Sequence, residues 1–333
     1  MKAYVLTRYG DSSVMEMREV PEPIAADNEV LIKVQAAALN PVDYKLREGK
    51  MRLLNHLDLP TVAGNEFSGI VAGVGDGVTR FAVGDRVFAR VDKNKLGAFA
   101  PYLVISQTLL AKIPESLDFV AAAGLPLAGL TALQALRDEL AVTAGDRIFI
   151  SGGAGGVGTL AIQLATWMGA EVATTASPQS EEFVRSLGAS TVINYREQRF
   201  KDVLSEYDGA FDLTGGADLQ DSFSILKRGA KTVSIAGFPE PTTARVDLEA
   251  GPLLTAALWI LSAKIRRQAR QKGVGYRYMF MHPSGTDLEL LAGLVEEGKL
   301  KTVTDRVFPF EQIAEGFSYL EQGHAKGKVV VQM

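Results

Sequence analysis

The stretch Ser151-Gly152-Gly153-Ala154-Gly155-Gly156-Val157-Gly158 decides how the middle of this chain folds. Residues 146–150 before it are typical of a buried strand, and residues 159–165 after it are typical of a helix with an apolar face. A G-x-G-x-x-G pattern at a strand-to-helix turn allows a sharp bend, close approach of a pyrophosphate and tight helix packing. The helix N-terminus then offers free N–H groups to phosphate. We therefore predict that the cofactor-binding residues of this turn are Gly153, Ala154, Gly155, Gly156, Val157 and Gly158.

Bulk composition indicates an ordinary globular chain. Its 333 residues favour two domains, and 47% hydrophobic with 22% charged residues is usual for a globular protein. A net charge of -4 offers no basic surface for nucleic acid, so we expect no nucleic-acid partner. The N-terminus runs directly into a strand pattern without a signal peptide, which predicts a cytoplasmic location.

Cysteine and histidine usage restricts the chemistry. The chain has no cysteine, which excludes disulfides, cysteine nucleophiles and thiolate zinc sites. Its three histidines, His56, His282 and His324, include no close pair. We predict no metal site.

One apolar stretch, residues 253–261, is too short to span a membrane and is followed by Lys264, Arg266 and Arg267. A basic amphipathic helix can lie on a membrane surface. We favour the alternative, a packed helix with a solvated basic end, and predict no membrane partner.

The first third of the chain is rich in strands. Residues 30–36 and 69–75 have strand patterns, and residues 81–89 have a turn pattern followed by a strand. Short strands between Gly and Pro turns favour a compact β-barrel. Strand patterns recur near the C-terminus at 306–310 and 328–331, so we expect the C-terminus to return to the first domain.

The middle of the chain alternates between helix and strand patterns. A helix is predicted over 127–140 and another over 180–187, with an aromatic edge strand over 274–281. Further strands are predicted at 171–176, 191–193, 209–213 and 232–236. This alternation predicts an α/β fold with a doubly wound parallel sheet.

Several segments together resemble the medium-chain dehydrogenase/reductase superfamily, in particular its zinc-independent quinone oxidoreductase and alkenal reductase branch. They are residues 38–45 (ALNPVDYK), 64–69 (GNEFSG), 83–87 (VGDRV), 130–136 (LTALQAL), the glycine turn and 323–331 (GHAKGKVVV). The resemblance implies a Rossmann domain over 123–283 and a GroES-like β-barrel substrate domain over 1–122 and 284–333, with a cleft between them. It also implies a homodimer, which we expect to pair through the edge strand.

Departures from the wider superfamily argue against alcohol chemistry. Zinc-dependent relatives have a histidine where Asn65 stands, and they use cysteines that this chain lacks. Without zinc, the reaction of an alcohol or a simple carbonyl compound loses its Lewis acid. A quinone or conjugated enone needs only a hydrogen-bond donor to stabilise the charge that develops on its oxygen.

Cofactor choice depends on the second strand of the nucleotide domain. NAD sites usually end this strand with an acid, and residues 173–180 contain none, which favours NADPH. The resemblance implies that Ser177 and Tyr195 contact the 2′-phosphate, and that Thr131, Gly215, Gly237, Phe238 and Lys328 also contact the cofactor. Tyr195 could instead be a half-buried loop residue, Phe238 a core residue and Lys328 a charge at a strand edge.

Asn40 and Lys45 are the predicted catalytic residues. Asn40 can donate to a substrate oxygen or to the nicotinamide carboxamide, and the Lys45 ammonium can donate to developing negative charge. The alternative is a helix-capping Asn40 and a surface Lys45. Asp43 is expected to orient this segment.

These observations predict an NADPH-dependent reductase of small-molecule quinones or α,β-unsaturated carbonyl compounds. An enoyl-thioester reductase and a non-catalytic NADPH-binding protein are the alternatives.

Overall fold

The computed structural model describes residues 1–52 and 54–333. These residues form two compact units. Unit 1 comprises Met1–Leu130 and Pro283–Met333, and unit 2 comprises Thr131–His282.

The strands, in chain order, are β1 (Lys2–Leu6), β2 (Met15–Glu19), β3 (Glu29–Leu39), β4 (Thr61–Val62), β5 (Glu66–Val74), β6 (Arg86–Arg90), β7 (Tyr102–Ser106), β8 (Ala111–Lys112), β9 (Arg147–Ile150), β10 (Glu171–Ala176), β11 (Thr191–Asn194), β12 (Tyr207–Asp212), β13 (Leu226–Ser234), β14 (Gly275–Tyr278), β15 (Thr304–Pro309) and β16 (Lys328–Gln332). The α-helices are α1 (Pro41–Arg47), α2 (Phe119–Ala123), α3 (Pro126–Gln134), α4 (Gly156–Trp167), α5 (Glu181–Ser186), α6 (Gly216–Ile225), α7 (Pro252–Leu261), α8 (Ala263–Gln271), α9 (Gly285–Glu296) and α10 (Ile313–Glu321).

Unit 2 is built on a parallel sheet with the strand order β11-β10-β9-β12-β13-β14. The chain enters at β9 in the middle, builds outward through β10 and β11, and then crosses to β12 on the other side of β9. Ligands of such sheets bind beyond the carboxyl ends of the strands where the order reverses. The predicted doubly wound sheet is confirmed, and β14 is its edge strand as predicted.

The core of unit 2 lies between this sheet and its helices. Phe149 of β9 packs against Phe200 with a ring-centroid distance of 4.3 Å. Phe223 of α6 and Ala269 of α8 belong to the same buried cluster. Burial of such aromatic side chains is a main source of stability in a domain of this kind.

Unit 1 contains a mainly antiparallel sheet with the order β15-β16-β3-β5-β6-β8, in which β7 also pairs with β3. The C-terminal strand β16 lies between β15 and β3, so the predicted return of the C-terminus is confirmed. Small side chains at Ala36, Ala38 and Ala123 form a buried cluster with Val330. Their size allows α2 to pack closely on β3, β5 and β16.

One predicted element has different bounds in the structure, and another agrees in detail. The helix predicted over 127–140 is α3, which ends at Gln134 and continues as a π-helical turn, where the Leu140 N–H donates to the Ala135 carbonyl. The turn predicted before a strand in residues 81–89 is present, since the Asp85 carboxylate accepts the Ala82 N–H and β6 begins at Arg86.

Residues 253–261 lie in α7, which packs on one side only, so the interpretation as a packed helix holds for only part of its surface. Only Leu258 of α7 is buried, whereas the side chains of Leu253 and Ile260 are 87% and 67% exposed. No helix within residues 1–52 or 54–333 is long and apolar enough to cross a bilayer.

Candidate functional site

The glycine turn of unit 2 connects β9 to α4, and two of its glycines are required by close packing. A Cβ at Gly153 would lie 2.2 Å from the Thr174 hydroxyl oxygen. A Cβ at Gly158 would lie 2.4 Å from the Gly152 carbonyl oxygen. Both distances are shorter than real Cβ contacts, so only glycine fits at these two positions.

Close packing of this kind does not explain the glycine at position 155. A Cβ there would meet only the Gly152 carbonyl, at 3.4 Å, and no side chain caps the N-terminus of α4 at this residue. Residues 154–157 are partly exposed, whereas Gly153 and Gly158 are buried. The turn therefore presents uncapped helix N–H groups and an open glycine, which is the arrangement that a pyrophosphate needs.

The neighbouring strand ends bring Ser177 and Tyr195 to the same edge. Ala176 of β10 is in register with Asn194 of β11, so the residues that follow them leave the sheet side by side. The Ser177 hydroxyl donates to the Ser180 hydroxyl at 3.2 Å. Tyr195 is exposed, which removes the half-buried alternative, and the Arg196 guanidinium lies 6.0 Å from its ring centroid. Hydroxyl and guanidinium donors thus follow the ends of β10 and β11, and residues 173–180 contain no carboxylate.

A buried carboxylate, Asp212, positions two further glycines of unit 2, Gly215 and Gly237. It lies at the end of β12 and accepts hydrogen bonds from the Gly215 N–H at 2.9 Å and the Ser234 hydroxyl at 2.6 Å. Ser234 in turn accepts the Gly237 N–H at 2.8 Å. Burial raises the pKa of Asp212 against the lowering effect of these donors. Asp212 was not predicted from the sequence, although an acid ending a buried strand beside a glycine was the available signal.

The predicted cofactor residues Gly215, Gly237 and Phe238 lie around this network. Gly215 has a φ of 72°, and a Cβ there would lie 2.6 Å from the Ala236 carbonyl oxygen. Phe238 is exposed, so the core alternative is wrong. Its carbonyl accepts the Tyr276 hydroxyl at 2.7 Å, which holds the loop after β13. Thr131, at the start of unit 2, is buried within α3.

In unit 1, Asn40 belongs to a buried network with Glu66 and Lys328. Its amide nitrogen donates to the Ala38 carbonyl at 3.2 Å and to the Glu66 carboxylate at 2.8 Å, and its amide oxygen accepts from the Lys328 ammonium. Both amide N–H groups are therefore engaged inside unit 1. This differs from the predicted donation to substrate, because no N–H of the Asn40 amide is left for a ligand in this arrangement.

Lys328 is buried in β16, which lies inside the sheet, so the strand-edge alternative is wrong. Its ammonium donates to the Glu66 carboxylate at 2.7 Å. The other oxygen of Glu66 accepts the Leu127 N–H, just before the chain passes into unit 2 along α3. The ion pair is closed to solvent on both sides, since Glu66 is also fully buried.

Asp43 lies next to this network and orients the segment, as expected. Its carboxylate accepts the Asn40 backbone N–H and the Asn65 amide N–H, each at 2.7 Å. Burial raises the pKa of Asp43 to about 6, opposed mainly by these two donors. Arg90 donates to the Asn65 amide oxygen at 3.3 Å, and burial lowers its pKa to about 10.

Lys45 differs from every other ionisable group of this site. It is half-buried on α1, and its ammonium makes no hydrogen bond or ion pair with a residue in the described chain, Asn40 included. Burial lowers the pKa of Lys45, and the nearby Lys50 lowers it further. A cation held without a partner is available to a ligand that develops negative charge.

Comparison with known proteins identifies the family. The alcohol dehydrogenase GroES-like domain matches residues 26–115, and the family described as zinc-binding dehydrogenase matches residues 187–331. An NADPH-dependent alkenal/one oxidoreductase of Arabidopsis thaliana is 38% identical over 99% of this chain and 79% of its own length. The chain belongs to the medium-chain dehydrogenase/reductase superfamily.

Two further relatives of the superfamily also match nearly the whole chain. A 2-methylene-furan-3-one reductase of Solanum lycopersicum is 34% identical over 99% of this chain and 79% of its own length. The solved quinone oxidoreductase of Coxiella burnetii has a TM-score of 0.85 with 33% identity, covering 100% of this chain and 99% of the other.

The residues at the position of the superfamily's zinc ligands do not fit a zinc ion. The Asn65 amide nitrogen donates to the Asp43 carboxylate, and the Glu66 carboxylate is paired with the Lys328 ammonium. Within the described residues, no group of three His, Asp or Glu side chains is arranged for a metal, and the chain has no thiol. Zinc prefers thiolate, imidazole and carboxylate ligands. We therefore derive no catalytic step through zinc.

Proposed function

We propose that this chain is an NADPH-dependent, zinc-independent reductase of quinones or α,β-unsaturated carbonyl compounds. The single observation that carries this proposal is the pair of features at the carboxyl edge of the unit 2 sheet. There, the open Gly155 turn suits a pyrophosphate, and the neighbouring Ser177 and Tyr195 suit a 2′-phosphate. The names of the alkenal/one oxidoreductase and the quinone oxidoreductase support the same reaction class.

Bound NADPH would supply the hydride from its nicotinamide ring. The protein's part is to bind and orient. Ala154, Gly156 and Val157 offer backbone N–H groups to the diphosphate, and Ser177, Tyr195 and Arg196 offer donors to the 2′-phosphate. Asp212 keeps Gly215 and Gly237 in place so that their backbone can approach the cofactor closely.

On the acceptor side, Lys45 is the group that we propose to stabilise developing charge. When a hydride adds to the β-carbon of an enone, negative charge develops on the carbonyl oxygen, and an unpaired ammonium is a suitable donor to it. The α-carbon then takes a proton, for which water is sufficient. Asn40 would act as a positioning residue that holds Lys328 and Glu66. The contact of Lys328 with the cofactor, which the family resemblance implies, stays a prediction, because its ammonium is already bound to Glu66 and Asn40.

The test is NADPH oxidation by the purified chain with a soluble quinone, an enal and a crotonyl thioester, each repeated with NADH. We expect turnover with the quinone or the enal and a preference for NADPH. Faster turnover of the thioester would instead indicate an enoyl-thioester reductase. Tight NADPH binding without turnover on any acceptor would indicate a non-catalytic binding protein, and absence of NADPH binding would overturn the proposal altogether.

The cytoplasmic location and the homodimer through β14 stay predictions.

A further inference from the structure

The exposed face of α7 is an apolar surface that the proposed reductase chemistry does not use. Leu253, Ala256 and Ile260 are exposed at a spacing that places them on one side of the helix, and Trp259 beside them is 58% exposed. Together with Arg245 and Ala250, this side of α7 borders an open depression of about 710 Å³. Large apolar side chains clustered on a surface usually mark an interaction site.

A basic surface continues directly from it. Residues 250–286 contain no Asp or Glu, yet the segment after α7 contains Lys264, Arg266, Arg267, Arg270 and Lys272, in a chain with a net charge of -4. Lys264, Arg267 and Arg270 are exposed on α8 and form no ion pair within the described part of the chain. The opposite side of α8 packs on the core of unit 2 through Ile265 and Ala269.

Arg266 joins the two surfaces. Its guanidinium donates to the Trp259 carbonyl at 2.6 Å and to the Ser262 hydroxyl at 3.0 Å, and it lies 5.4 Å from the centroid of the Trp259 ring. The indole is therefore held at the boundary between the apolar side of α7 and the basic side of α8. An apolar face with an adjacent row of unpaired cations is complementary to one kind of occupant, an anionic lipid surface.

We propose that the face formed by α7 and α8 docks on membranes that contain anionic lipids. In this arrangement Leu253, Trp259 and Ile260 enter the boundary between headgroups and acyl chains, while Lys264, Arg267 and Arg270 contact lipid phosphates. The sequence alone predicts no membrane partner; the exposure of α7 is the observation that changes this. The proposal does not depend on the reductase activity, since it uses none of the residues to which the proposed function gives a role.

The experiment uses the full chain and vesicles of phosphatidylcholine, with or without phosphatidylglycerol. The chain has two tryptophans, so Trp167→Phe leaves Trp259 as the only indole. We expect its fluorescence to shift to the blue with the anionic vesicles and to stay unchanged with phosphatidylcholine alone. The matched protein with Trp259→Phe, which keeps Trp167, should show no shift.

Cosedimentation with the same vesicles tests the two parts of the surface. Each cation removed should weaken binding about fivefold, so K264Q/R267Q should weaken it roughly thirtyfold. The matched variant K2Q/R8Q removes the same charge from exposed positions in unit 1 and should bind normally. L253S should also weaken binding, whereas I24S, at an equally exposed aliphatic residue (88%), should not.

Three results would overturn the proposal. The first is absence of vesicle binding, and the second is binding that K264Q/R267Q and K2Q/R8Q reduce equally. The third is a change in oligomeric state or in the KM for a soluble quinone on L253S without any vesicle binding, which would assign α7 to a second copy of the chain or to the acceptor site.

Discussion

The Lys328 ammonium and the Glu66 carboxylate form a buried ion pair with an N–O distance of 2.7 Å. The two residues come from the last strand of the chain and from β5, 262 positions apart. Asn40 bridges the same pair through its amide. The pair therefore fastens the C-terminal strand to the segment that carries Lys45.

Breaking this ion pair should destabilise unit 1 strongly. K328M leaves the Glu66 charge buried without its partner, which typically costs about 3–5 kcal/mol. The double variant K328M/E66Q removes both charges and should recover a large part of that loss. Urea unfolding followed by circular dichroism measures both, and equal stability of the single and double variants would contradict this role of the pair.

The raised pKa of Asp43 has a defined effect on stability. Its pKa in the folded protein is about 6, above the ordinary value of 3.8, so the folded state binds the proton more tightly than the unfolded state. The resulting stabilisation is complete below about pH 4 and is lost as pH rises through 6, with a total of about 3 kcal/mol. The difference in unfolding free energy between the wild type and D43N should therefore change over this interval. A difference that does not change with pH would show that the pKa of Asp43 is not raised in the folded protein.

Alanine at two glycines of the turn should separate folding from cofactor binding. G155A meets only one contact, at 3.4 Å, so the protein should fold normally but lose NADPH affinity by at least tenfold, because the methyl group occupies the pyrophosphate position. G158A places a Cβ 2.4 Å from a backbone oxygen and should lower the melting temperature. A Cβ at Gly293 in α9 would meet open space, so G293A is the control and should be neutral or slightly stabilising. Normal NADPH binding by G155A would exclude the turn as the phosphate site.

Cofactor preference should depend on the end of β10. S177D introduces a carboxylate where we place the 2′-phosphate, so NADPH affinity should fall at least tenfold while NADH affinity is kept or improved. S186D adds the same charge to an exposed position of α5 and is the control. Dissociation constants from fluorescence titration check this. An equal loss for both cofactors on S177D would place the 2′-phosphate elsewhere.

Removal of the Lys45 ammonium should slow the reaction without unfolding the protein. K45M deletes an unpaired, half-buried cation, so stability should be kept or improved, while kcat/KM for an enone should fall about tenfold to a hundredfold. Burial and Lys50 lower the pKa of Lys45 from its ordinary value of 10.5. As pH rises, wild-type activity should therefore begin to fall before pH 10.5, because the ammonium loses its proton. This alkaline decline should be absent in K45M. Unchanged kcat/KM in K45M would remove Lys45 from the mechanism.

The parallel sheet and its glycine turn were predictable from sequence because their signals are local. A strand, a fixed glycine spacing and a helix follow one another along a short stretch of chain, and the absence of an acid at the end of the next strand is read directly from residues 173–180. The paired positions of Ser177 and Tyr195 follow from the register of β10 and β11.

The network around Asn40 was not predictable in the same way. Its partners Glu66 and Lys328 come from distant strands, and only their meeting shows that the amide is fully hydrogen-bonded. The exposure of α7 was likewise hidden, because an apolar run looks the same whether it packs in a core or faces solvent. Asp212 carried a usable signal, but its role depends on Ser234, which lies on another strand.

The most direct test of the proposed hydride transfer uses NADPH that carries deuterium at the transferred position of nicotinamide C4. The wild-type chain is incubated with an α,β-unsaturated ketone, and the saturated product is analysed by mass spectrometry and NMR. We expect one deuterium at the β-carbon and a solvent-derived proton at the α-carbon. Consumption of neither substrate, or a product without deuterium at the β-carbon, would contradict the proposed transfer.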